Sequence, residues 1–102
     1  MQVGTANNND ENPTSTRELR KKAGIWLRTR REDLGLSQRV LADRVNMEYY
    51  TFISQIESGK GRVPADRLRH WAEALEVDPK EFALTLMQYY DPHTYNLIHG
   101  DA

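Results

Sequence analysis

Apolar residues along this chain recur at helical spacing in five blocks, separated by Gly, Asn and Pro signals. The first opens on Ser15-Thr16-Arg17-Glu18, which has the S-x-x-E form of a capping box. It runs to about Leu34, with Leu19, Ala23, Trp26, Leu27 and Leu34 expected inside and Gly35 placed to terminate it. The second block, Ser37 to Val45, starts on a Ser able to cap and sets Val40, Leu41 and Val45 on one face. Asn46 follows, the usual substitute for Gly where a turn needs positive φ. The third block, roughly Glu48 to Ser58, sets Tyr49, Phe52, Ile53 and Ile56 on one stripe. Its other face carries Glu48, Thr51, Ser54, Gln55 and Ser58, with no Lys or Arg. A loop with two glycines and Pro64 leads to a fourth block, about Ala65 to Leu75, whose core face is Leu68, Trp71, Ala72 and Leu75. Asp78-Pro79 reads as N-cap and first helical residue of a fifth helix running to about Tyr90, with Phe82, Ala83, Leu86 and Tyr89 or Tyr90 on its inner side.

The second and third blocks, joined by a tight turn, form a helix-turn-helix pattern, in which the second helix can enter a DNA major groove. The pattern predicts an all-α domain of five to six helices. Its residues resemble the lambda-type Cro/CI helix-turn-helix family, also called XRE-like. The matching marks are Leu36-Ser37-Gln38, Leu41-Ala42 and Ile53-Ser54-Gln55-Ile56-Glu57-Ser58-Gly59-Lys60. They extend back to Leu27-Arg28, Arg31 and Gly35, and forward to Pro64, Leu68, Ala72, Ala74-Leu75 and Val77. From Ala42 to Ile53 there is one residue more than the usual family spacing, so the turn or the start of the second helix is expanded. The resemblance implies an ion pair between Arg31 and Glu57, tying the first helix to the end of the third. It also implies a transcriptional regulator, most often a repressor, bound as a homodimer to a palindromic operator. Two alternatives stay open: the DNA-binding antitoxin of a toxin–antitoxin pair, and a protein-interaction module of the same fold.

Composition sharpens this picture. The chain has 102 residues, no Cys and a formal net charge of -1. That length suits one modest core plus tails. The lack of Cys excludes disulfides, and with no long apolar run the sequence reads as cytoplasmic, of bacterial or phage origin. The charge is unevenly spread. Residues 1–16 hold two acids and no base, residues 17–62 hold eleven Lys/Arg against six acids, and residues 63–102 hold three against seven. A basic middle between acidic ends fits one DNA-facing surface. Residues 1–14 read as a disordered polar tail, 15–91 as the helix-turn-helix domain and 92–102 as a C-terminal extension.

On the outward face of the third helix, Tyr50, Thr51, Ser54 and Gln55 are the candidates for base reading, Gln55 by a bidentate contact to adenine. Gln38, Arg39, Lys60 and Arg62 are candidates for the DNA backbone, where contacts supply affinity and position, not sequence choice. Beyond Asp91-Pro92 the chain keeps an apolar group: Met87, Tyr90, Tyr95, Leu97 and Ile98. Either it folds back over helices one and five, or it forms a dimer contact; both can hold together. His70, His93 and His99 lack metal-ligand spacing, there is no phosphate loop, and no nucleophile signature is present. No enzyme activity, metal or cofactor is expected.

Overall fold

Capping residues set where the helices begin and end. A computed structural model describes residues 15–100; the polar tail expected over residues 1–14 lies outside them. Six α-helices make up the described residues: α1 Thr16–Asp33, α2 Gln38–Arg44, α3 Thr51–Glu57, α4 Leu68–Ala74, α5 Pro79–Tyr90 and α6 Pro92–His99. A single 3-10 turn, Ala65–Arg67, precedes α4, so the fourth helical block is split where one helix was expected. At the starts, Ser15 Oγ accepts from Glu18 N, Ser37 Oγ from Val40 N, and Asp78 Oδ2 from Lys80 N and Glu81 N.

Four of the helices end in one motif. After α1, Leu36 N donates to Arg31 O and Gly35 N to Glu32 O, the paired bonds of a Schellman turn. The same pair recurs after α2 through Met47 and Asn46, after α3 through Lys60 and Gly59, and after α4 through Val77 and Glu76. Each turn needs one left-handed residue. These are Gly35, Asn46, Gly59 and Glu76, with φ of 72°, 58°, 87° and 57°. Asn46 fills this role as the sequence suggests, while Glu76 takes it with no glycine and no short amide to ease it.

The core lies where these helices cross. Trp71, Phe82, Leu27, Leu41, Ile53, Leu75, Leu86, Val45 and Val63 are fully buried. Helix α1 packs on α5 and α3, α4 packs on α5, and α2 packs on α3 and α4. Trp26 sits half-buried against Phe82, their ring centroids 5.6 Å apart. The Trp71 indole N–H is buried with no hydrogen-bond partner among the described residues.

Several expectations are corrected. Helix α3 begins at Thr51, three residues after Glu48, because the extra residue is absorbed by the connection. The chain from Val45 to Tyr50 is a Schellman turn followed by an open turn. Tyr49 and Phe52 are therefore not part of a buried stripe; they are 57% and 47% exposed. Val40 also faces outward, leaving Leu41, Ala42 and Val45 as the buried face of α2. The C-terminal extension forms α6, whose stronger helix packing is on α5. Leu97 and Ile98 remain 84% and 61% exposed. None of the helices among the described residues is long and apolar enough to cross a membrane.

Candidate nucleic-acid interface

The geometry of α3 is set from underneath. Ile53 and Ile56 enter the core, and Glu57 is buried beside Arg31 of α1. Arg31 Nε donates to Glu57 Oε2 at 2.6 Å and Nη2 donates to Oε1 at 3.0 Å, a two-pronged pair. Arg31 Nη1 also donates to Leu36 O at 2.7 Å. Its hydrogen bond to Glu57 holds the Arg31 guanidinium above its usual range, outweighing the opposing effect of burial. Gln38 Nε2 reaches the same carboxylate, donating to Oε1 at 3.1 Å. One buried carboxylate thus ties together α1, the start of α2 and the end of α3.

A second constraint comes from Gly24, a buried glycine inside α1. A Cβ there would lie 2.1 Å from Glu57 O and 3.0 Å from Ile56 O. Only a residue without a side chain lets α1 and the end of α3 approach this closely. An isolated glycine inside a strong helical pattern is the signal for such an approach, and it is absent from the sequence-derived candidates.

With its inner side locked, α3 turns a short polar face outward. Thr51, Ser54, Gln55 and Ser58 are all exposed. Thr51, Gln55 and Ser58 follow one line along the helix, with Ser54 on its flank. The base-reading candidates therefore share one surface, and Tyr50 stands just before it as the N-terminal flanking residue. Ser54 and Ser58 also line a shallow cleft with Arg28, Gln38 and the edge of the Arg31–Glu57 pair.

The backbone candidates are placed less uniformly. Gln38 has one amide hydrogen on Glu57, leaving the second free to point elsewhere. Arg39 lies over the ring of Tyr50, its guanidinium carbon 4.3 Å from the centroid. Lys60 is exposed in the loop after α3. Arg62 is turned toward the end of α5, where it pairs with Asp91 at 3.1 Å and covers the ring of Tyr90 at 4.4 Å.

Other arginines hold the frame. Arg30 donates to Leu75 O and Glu76 O, Arg44 to Ala74 O, and Arg67 to Val45 O. Each places a cation on the unpaired carbonyls at a helix C-terminus, where the helix dipole favours it. Arg30 stands where an apolar residue is more usual in the resembled family, and its bonds to the end of α4 supply the packing it lacks.

Of the dimer candidates, Met87, Tyr90 and Tyr95 are half-buried, whereas Leu97 and Ile98 lie on the surface of α6. The Tyr90 hydroxyl accepts from Val63 N at 3.2 Å. Burial raises the Tyr90 phenol above its usual range, despite the opposing hydrogen bond and the nearby Arg62. The Tyr95 hydroxyl accepts from Gln88 Nε2 at 2.8 Å, and its ring packs on His99. Among the described residues no group of three or more His, Cys, Asp or Glu is placed to hold a metal ion.

Comparison with the curated proteins gives no match. A family model described as a helix-turn-helix domain matches residues 22–84, well over half of the chain. The match begins inside α1, takes in α2, the turn, α3 and α4, and ends inside α5. The chain belongs to the helix-turn-helix domain family, within its Cro/CI-like group.

Proposed function

We propose that this protein binds double-stranded DNA sequence-specifically as a transcriptional regulator, a repressor acting as a homodimer on a palindromic operator. The observation that carries the proposal is the contrast between the two sides of α3. Its inner side is fixed by Ile53, Ile56 and the buried Glu57, and its outer side offers hydroxyls and one amide with no charge. A helix of that kind, entering a major groove, reads base edges by hydrogen bonds while cations elsewhere meet the phosphates.

In this reading Thr51, Ser54 and Gln55 contact base edges, with Tyr50 beside them. Gln55 carries adjacent donor and acceptor groups that match adenine N7 and N6. Gln38, Arg39 and Lys60 hold the backbone, steadied by the fixed start of α2. Arg62 joins them by leaving an exposed ion pair with Asp91, worth only about 0–1 kcal/mol. One such domain reads few base pairs, so two copies on a two-fold site supply the specificity. Half-sites then lie about 34 Å apart.

Selection of bound sites from random duplex DNA is the decisive experiment. An enriched, two-fold symmetric motif with that spacing is expected. Uniform binding to all sequences, or none, would overturn the proposal.

A further inference from the structure

The helix-turn-helix places the beginning of its second helix nearest the bases. At this end of α3 the chain exposes two large apolar rings, Tyr49 and Phe52, 57% and 47% accessible. Their centroids are 6.2 Å apart and their planes tilted by 53°, so they form one patch rather than two isolated side chains. Phe52 lies three residues before Gln55 and therefore beside it on the helix surface. Thr51, on the polar line itself, contributes the one methyl group of that face. Below Phe52, the core-facing positions are taken by Ile53 and Ile56, so Phe52 has no place inside.

An exposed phenyl ring cannot hydrogen-bond a base edge. The apolar group that a major groove presents on a base edge is the C5-methyl of thymine, and a phenyl ring is one of the groups suited to meet it. We propose that Phe52, braced by Tyr49, reads thymine methyl groups beside the base pair contacted by Gln55. The inference rests on the DNA-binding function proposed above and narrows it to half-sites containing thymine at a defined step. Tyr50 takes a different part, because its ring is already covered by the Arg39 guanidinium.

The test uses the full chain and the site obtained by selection. Each thymine is replaced in turn by deoxyuridine, which removes only the methyl group and keeps every hydrogen-bonding group. At one or two positions per half-site, affinity is expected to fall about three- to fivefold, the worth of one methyl group withdrawn from water. Phe52→Ala should bind the thymine and deoxyuridine sites about equally, with its helical circular dichroism unchanged because the ring lies on the surface. Tyr49→Ala should shrink the difference without abolishing it. Specific binding with no deoxyuridine-sensitive position would overturn this inference and leave the DNA-binding function intact. Sensitivity that survives in both variants would overturn the assignment to these two rings. If Phe52→Ala instead abolishes self-association and leaves DNA selectivity untouched, the patch is a protein contact and the inference fails. Failure to select any site would remove the DNA-binding function itself.

Discussion

Single residues carry backbone strain in this chain and, in the proposed function, specificity. Glu76 is the clearer case of strain. It closes α4 in the left-handed region at φ 57°, where a side chain ordinarily costs about 1–2 kcal/mol. Its main-chain carbonyl is held by Arg30, which needs no particular side chain at position 76. Glu76→Gly should relieve the strain and lose part of the gain to the greater freedom of the unfolded chain. A net stabilisation of up to about 1 kcal/mol is expected, read as a higher urea midpoint at unchanged slope. A lower midpoint would show that the Glu76 side chain contributes more than its backbone costs. In the proposed function Gln55 is the corresponding case of specificity. It is exposed, and the one side-chain bond it receives, from Ser58 Oγ, goes to its main-chain carbonyl, so Gln55→Ala leaves the fold alone. On the selected site it should cost about 1–3 kcal/mol and relax preference at one position per half-site. Unchanged affinity and preference would remove Gln55 from base reading. Only one of the two was legible in the sequence. Gln55 stood out from its place on a polar face, whereas nothing marks a Glu as left-handed, since the turn hydrogen bonds that force it are made by the backbone.

At the scale of elements, the orientation of α3 depends on one close crossing and one buried carboxylate. Gly24 lets α1 approach the carbonyls of Ile56 and Glu57, and Gly24→Ala would drive a methyl group into that backbone. Crowding of this kind costs about 1–3 kcal/mol. It should also tilt α3, so Gly24→Ala is expected to lose site-specific affinity beyond what its fall in melting temperature explains. Loss of stability with full operator affinity in the folded fraction would show that α3 keeps its orientation. The boundaries of α3 also show where sequence reading reaches its limit. Periodicity at 3.6 residues placed Tyr49 and Phe52 with Ile53 and Ile56, but it cannot tell where the helix starts. The extra residue went into the connection, α3 opened at Thr51, and the two rings were left outside. The caps behaved differently. Ser15, Ser37, Asp78, Gly35 and Asn46 act through bonds to their immediate neighbours, so local sequence was enough to place them. The Arg31–Glu57 pair spans 26 positions and was reached through family resemblance, not through local pattern.

On the scale of the whole molecule, formal charge overstates the cations available to DNA. Eleven Lys/Arg lie between residues 17 and 62, yet Arg30, Arg31 and Arg44 bind helix-end carbonyls or a buried carboxylate, and Arg62 has first to leave Asp91. Lys60, exposed after α3, is the cleaner candidate for a phosphate contact. Lys60→Ala should weaken binding to all sequences alike and lower the slope of log affinity against log salt by about 0.9 per half-site. A changed base preference with an unchanged slope would count against that role. The proposed function has one further requirement, assembly, since a single domain would read too few bases. The surface best suited to it is on α6, where Leu97 and Ile98 are exposed on a helix that packs only on α5 among its stronger contacts. Two neighbouring exposed aliphatic side chains on one short helix offer an apolar surface of the kind that a subunit contact covers. The intrachain bonds of Tyr90 to Val63 and of Asp91 to Arg62 all lie before Pro92, so they survive removal of α6. Truncation after Asp91 should therefore leave a folded, helical protein, as followed by circular dichroism. Light scattering should show it as a monomer, with much weaker binding to the two-fold site. A truncated protein that remains dimeric would place the assembly surface elsewhere, and one that unfolds would show that α6 stabilises the domain itself.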